Sequence, residues 1–304
     1  LWTLRYPRYY HGGCALALSV KARGKQMFVK KLAAILVVLT CVLSANASDR
    51  KGESWSEVVS VDELQWGYLN PARGSKGPAA ADLWGDRTQD TASGILLKFP
   101  QGFESPPHIH NVTYRGVVIL GALHNDDPAA NKTWMPTGSF WVQPAGGVHI
   151  TAANGDENIA FIEIDRGPYR VQPTTDAFDA GQAPINVDAS NISWSSLSET
   201  NTADDTGAEI AHLWGEHAAG EPSGVMLKLP AGFRGEILAT GEKWRAVVIQ
   251  GSPSYQGEIG PQDLPPGSYF GSSAEFRHRL AANKEEPVTL YVSSNGLLQV
   301  RSSQ

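Results

Sequence analysis

The chain has 304 residues, 31 of them acidic and 25 basic, for a formal net charge of −6 at pH 7. Such a balance repels phosphate backbones, so no nucleic-acid partner is expected. Both cysteines, Cys14 and Cys41, lie in the first 47 residues, so disulfides, thiol catalysis and cysteine-bound metals are excluded from everything downstream.

Those 47 residues do not read as a domain. "MFVKKLAAILVVLTCVLSANA", from Met27 to Ala47, carries two lysines, an apolar run from Leu32 to Leu43 and a small-residue exit, which is the order of a secretory signal peptide. The run is shorter than the roughly 20 residues of a membrane helix. Leu1 to Gln26 then read as an extension upstream of a start at Met27. Removing residues 1–47 takes away seven basic groups and no acidic ones, leaving 257 residues with a charge of −13. The expected location is secreted or periplasmic, with no membrane attachment after cleavage.

Beyond residue 47 a duplication organises the chain. "DLWGDRTQDTASGILLKFPQGF" (82–103) returns 130 residues later as "HLWGEHAAGEPSGVMLKLPAGF" (212–233), and "YRGVVILG" (114–121) returns as "WRAVVIQG" (244–251). "PTGSFWVQPAGGVHITAAN" (136–154) answers "PPGSYFGSSAEFRHRLAAN" (265–283) at an offset of 129. Even the lead-ins echo: Val61-Asp62 and Trp66 correspond to Val187-Asp188 and Trp194. A period this long marks a duplicated domain. Each copy consists of short apolar runs such as "GILLKFP" and "NIAFIEID", bounded by Gly, Pro, Asn and Asp, with no long 3.6-residue stripe. The expected fold is therefore all-β, two tandem small barrels or sandwiches, with room inside for one small ligand. Residues 48–170 form the first domain, turn-rich 171–186 the linker and 187–304 the second domain.

The chemistry concentrates in "PPHIHNVTYRG" (106–116). Residues i and i+2 of a strand face the same side, so His108 and His110 point together and can share a divalent ion. An isolated pair of this kind is a weak signal that more often marks two ordinary strand histidines. Its context is more specific. Gly102, His108-x-His110, Tyr114 and Gly121 are followed by Gly138, Pro144-x-Gly146 and His149. These spacings resemble the two signature motifs of the cupin superfamily, a jelly-roll barrel also described as a double-stranded β-helix. Because the resemblance covers both copies, the chain looks like a bicupin. It is similar to secreted bicupins of uncharacterised function and to the cupin domain of ChrR-type anti-sigma factors.

The resemblance implies a divalent metal ion (Zn, Fe or Mn) on His108, His110 and His149. It also exposes a departure, since the family's glutamate is replaced here by Tyr114 or Arg115. Strand parity turns Tyr114 inward with the histidines and Arg115 outward. A phenol with a pKa near 10 is a poor ligand. Tyr114 is instead the candidate catalytic residue, donating a hydrogen bond to a bound substrate, or it fills the pocket. Three neutral ligands leave the ion its full charge, which favours an anionic, chelating small molecule. Three-histidine centres occur among cupin dioxygenases that cleave β-diketones. Glu104 either supplies a carboxylate or sits on a solvated turn, the turn being preferred, and Gln143 shares the parity of His149 and could support it.

The second copy lacks the pair, with Leu238 and Thr240 at the histidine positions and Trp244 for Tyr114. Its His278, matching His149, reads as a buried structural residue, while His212 and His217 read as surface residues. Three functions stay open: a metal-dependent enzyme of dioxygenase type acting on a small organic acid or diketone, a non-catalytic ligand- or metal-binding module, and a structural relic. A small-molecule ligand is the expected partner, and a homodimer is left open.

Overall fold

The computed structural model describes residues 54–197, 206–258 and 260–303. The leader-like segment 1–47 lies outside them. Among the described residues there is no α-helix, only strands, turns and short 3-10 segments.

Two seven-stranded antiparallel sheets of matching order carry the fold. Tyr114–Leu120 and Asn158–Ile164 form the centre of the first, with Phe140–Gln143 on one side and Ser93–Phe99 and Ala79–Trp84 on the other. Trp244–Gln250 and Val288–Ser294 take those central places in the second. The strands Ala122–Asp126, Ile150–Ala153 and Met135–Pro136 close the first barrel, with Leu123, Met135 and Ala153 packed into the same core as Ile95, Leu97 and Ile162. Five strands around Arg234–Ala239 close the second. The two tandem jelly-roll barrels expected from the sequence are both present.

Why these strands read as unbroken apolar runs is visible in their two faces. Ile95 and Leu97 enter the first barrel's core, while Leu96 between them joins an apolar layer shared by both halves. Val225 and Leu227 against Met226 repeat the arrangement. A sheet covered on both faces has no solvent side to alternate with. In the shared layer Trp84 lies 4.7 Å from Tyr269, and Phe161 lies 5.3 Å from Tyr291, centroid to centroid. Beside it, the Tyr291 hydroxyl donates to buried Glu163 at 2.6 Å and accepts from Trp214 Nε1 at 2.9 Å.

The halves also trade an edge strand. Ser56–Val59, ahead of the first repeat, pairs with Tyr269–Ser272 in the second sheet. Ile185–Val187, ahead of the second repeat, pairs with Phe140–Gln143 in the first. Equivalent serines secure the crossings: Val61 N–H donates to Ser268 Oγ at 3.1 Å and Ala189 N–H to Ser139 Oγ at 3.0 Å. The echo between the two lead-ins is thus a reciprocal exchange, and sheet membership crosses the boundaries drawn from sequence. The segment 171–186 is more than a spacer as well, because Val171–Gln172 pairs with Ile109–His110, beside the histidine motif.

Candidate metal centre

His108 and His149 face each other across a bridge in which each backbone N–H donates to the other's carbonyl, at 3.1 and 3.0 Å. His110, two residues from His108, returns to the same side. The imidazole centroids lie 4.3 Å (His108–His149), 5.1 Å (His108–His110) and 5.3 Å (His110–His149) apart. One ring nitrogen from each lies within 4.8 Å of the others. All three predicted metal residues are therefore brought together.

Hydrogen bonding determines which nitrogen each ring offers. Nδ1 of His108 is 2.9 Å from the Pro106 carbonyl, Nδ1 of His110 is 3.1 Å from that of Arg170, and Nδ1 of His149 is 3.0 Å from that of Gly147. A carbonyl only accepts, so each Nδ1 carries the proton and each Nε2 keeps a lone pair. Histidine ligands of metals are held from behind in this way. Burial pushes all three imidazoles towards the neutral form, His149 down to about 4 and His110 well below its ordinary value, with the neighbouring histidines adding to the effect. Three neutral, oriented imidazoles are a donor set that fits a divalent ion.

Behind His149 runs a relay whose directions are dictated by its end. The Gly147 carbonyl also accepts Gln143 Nε2 at 3.1 Å, so Gln143 Oε1 must accept, and it does so from Asn125 Nδ2 at 3.0 Å. Asn125 Oδ1 then accepts from Thr151 Oγ1 at 2.8 Å and from the Tyr114 hydroxyl at 3.0 Å. That hydroxyl also lies 3.3 Å from His149 Nε2. Burial raises the Tyr114 phenol well above its usual range, so it has one proton and two acceptors for it. If His149 Nε2 is given to a cation, the proton still has Asn125. Tyr114 thus points inward, as parity requires, and Gln143 supports His149 through Gly147.

Two neighbours had no signal in the sequence. Tyr169, at the end of the first domain, stacks on His110 and places its hydroxyl 3.2 Å from His110 Nε2. Exposed Arg73 lies near enough to His108 for its charge to depress that imidazole further. Glu104 is exposed, but it pairs with Ala152 in an antiparallel β-bridge instead of sitting on a turn; its carboxylate is ion-paired with Lys132 and is not part of the histidine cluster.

In the second barrel His278 is enclosed. Its Nδ1 meets the Tyr255 hydroxyl at 2.9 Å, its Nε2 meets Ser272 Oγ at 3.0 Å, and Trp244 stacks on it at 4.7 Å. Unlike the three histidines of the first barrel, His278 joins no metal-type cluster among the described residues. His212 is exposed and His217 half-buried, and neither joins a metal-type cluster among the described residues.

Fold and site together define a cupin-fold protein with a three-histidine cluster in its first barrel. Residues 57–301 match the family model described as "Domain of unknown function (DUF4437)", and the chain belongs to that family. No curated protein matches it. Among solved structures it resembles a candidate dioxygenase from Nostoc punctiforme (14% identity, 83% of this chain and 87% of that one, TM-score 0.59). It also resembles the vicilin of hazelnut, Corylus avellana (10%, 81% and 87%, TM-score 0.51). A third is the oxalate decarboxylase of Lactobacillus farciminis (11%, 81% and 88%, TM-score 0.50). At these identities the likeness is one of fold.

Proposed function

We propose that the first barrel binds a divalent metal through Nε2 of His108, His110 and His149 and acts on a small, anionic, chelating organic molecule as an oxygenase. The observation that carries this reading is the triple commitment of Nδ1 to backbone carbonyls, which leaves three lone pairs converging in a buried site. A bound divalent ion would supply Lewis-acid or redox chemistry to a chelating oxygen ligand. The chain's own residues would do the rest. His108 is the most exposed of the three histidines, at 9%, so its side is the approach. Arg73 places positive charge there, which favours an anion. Tyr114 holds a proton that it can direct to Asn125 or into the site, and Tyr169 walls off the His110 side. The dioxygenase-like neighbour lends support at the level of fold.

A second reading, a non-catalytic module that captures a metal or small ligand, is favoured by Tyr169 itself, whose ring covers one face of His110. Elemental mass spectrometry of the purified protein beside a His108→Ala/His110→Ala variant tests the centre. About one equivalent of metal in the wild type and little in the variant is expected, and equally little in both refutes it. Oxygen consumption with a panel of β-diketones and hydroxy acids then separates catalysis from capture. We further propose export to the periplasm or beyond, supported by the leader-like Met27–Ala47. The measurement is the N-terminal residue of the fractionated protein, expected at Ser48.

A further inference from the structure

We propose that the second barrel carries an oxyanion-binding site on the outer face of its five-stranded sheet, taking a small, multiply charged carboxylate or phosphate compound. Side-chain alternation sets up the face. Ile237, Tyr255 and Leu280 turn into the core, so Arg234, Glu236, Ser254 and Arg279 turn outward. Register then aligns the charges. Glu236 lies opposite Arg279 on one neighbouring strand and opposite Arg301 on the other, and Arg234 is two residues away on the same face. Strands run about 4.8 Å apart, so Arg279 and Arg301 stand roughly 10 Å apart on either side of Glu236.

These arginines lack the partners that usually quiet a surface charge. The Glu236 carboxylate is bound by Arg277. Arg234 and Arg279 make no side-chain hydrogen bond or ion pair among the described residues, and Arg301 reaches only the neutral Gln299, at 3.2 Å. Together they line a concavity of about 960 Å³, with Ser252, Ser254 and Gln256 on its wall. No lysine lines it. Guanidinium forks match the planar or tetrahedral oxygens of carboxylates and phosphates, and the hydroxyl and amide groups would take a ligand's remaining polar atoms. Three arginines face two carboxylates in the lining, Glu236 and Asp263, and Glu236 is already bound by Arg277, so the concavity keeps an excess of positive charge that favours anions. At the matching positions of the first copy stand Glu104 and Ile150 in place of Arg234 and Arg279, so the copy without the histidine pair is the one that carries this face.

Calorimetric titration of the full-length chain with citrate, pyrophosphate and, as a neutral control, glucose tests the proposal. Citrate or pyrophosphate should bind with one-to-one stoichiometry, more weakly as salt rises, and glucose should not. Binding of citrate alone assigns a carboxylate ligand, and binding of pyrophosphate alone assigns a phosphate. Arg279→Ala and Arg301→Ala should each weaken binding by about tenfold or more, while Arg166→Ala, a surface change in the first barrel, should not. Arg279→Gln repeats the test if the alanine variant melts early. The His108→Ala/His110→Ala variant should bind as the wild type does, which separates this site from citrate chelated at the histidine cluster. No binding of either anion at millimolar concentration overturns the proposal. So does equal affinity in the wild type and an Arg279→Ala/Arg301→Ala double variant.

Discussion

Tyr169 stacks on His110 with ring centroids 4.3 Å apart and planes 15° from parallel, and its hydroxyl lies 3.2 Å from the nitrogen that His110 offers to the site. The contact joins a segment outside every repeated run to a buried histidine of the motif. Tyr169→Ala should weaken metal retention, measured by competition with a chelator of known affinity, by about 10-fold or more, the scale of lost supporting contacts at metal sites. Tyr169→Phe keeps the stack and removes only a hydroxyl that competes with the ion for Nε2, so it should retain metal at least as well as the wild type. Retention equal to wild type in the alanine variant would remove Tyr169 from the site.

The relay behind His149 makes Asn125 a residue of stability as well as of orientation. Asn125→Ala leaves Gln143, Thr151 and the Tyr114 hydroxyl without their partner in a buried region. Each abandoned group costs about 1–3 kcal/mol. A loss of at least about 2 kcal/mol is expected in urea denaturation, together with weaker metal binding. A variant that keeps wild-type stability would show that the relay is not made.

Arg73 separates ligand binding from metal binding. Arg73→Glu reverses a charge whose field reaches His108. Metal content should be unchanged, while affinity for a chelating dicarboxylate such as oxalate should fall several-fold, with the wild-type advantage shrinking at high salt. Loss of metal together with ligand would place Arg73 in a structural role instead.

The pH dependence has a definite sign. Burial lowers His278 to about 3 and His149 to about 4 from an ordinary 6.5. Both are neutral in the folded chain, and the unfolded chain takes up their protons first as pH falls. Stability is therefore full above about pH 6.5 and declines through the window from about 6.5 down to 4 for His149 and to 3 for His278, each contributing about 1.4 kcal/mol per pH unit inside its window. Metal-free protein melted across this range should show the fall, and His278→Gln should flatten it. A melting temperature that does not change between pH 6.5 and pH 4.5 would contradict the assignment.

Strand exchange ties the two barrels into one folding unit. Deleting residues through Val59 exposes the edge of Tyr269–Ser272 in the opposite barrel. The first copy expressed alone lacks the strand Ile185–Val187 that closes its own sheet. Calorimetry of the whole chain should give one cooperative transition. The truncated chain should unfold at lower temperature and tend to aggregate through its open edge. Two well-separated transitions in the whole chain would show independent barrels.

The legible part of the site was local. His108 and His110 share a face because a strand repeats every two residues, Tyr114 points inward by the same parity, and Gln143 could be tied to His149 by counting. The resemblance of both copies to cupin motifs added His149 across nearly forty residues. Asn125, Tyr169 and Arg73 left no such trace. Asn125 acts through its two amide atoms, Tyr169 through its ring and hydroxyl, and Arg73 through its charge, each reaching a partner in another segment.

Taken by itself, the sequence determined the duplication, the all-β class and the shared face of His108 and His110, because a repeat is visible as identity and side-chain direction follows from strand period. Only the tertiary structure decided that each lead-in strand closes the other copy's sheet, that the segment after the first repeat delivers Tyr169 to His110, and that three arginines of the second copy share one open face. Those outcomes depend on which distant edges pair and in what register, and register is set by the packing of the whole sheet rather than by any stretch of residues within it.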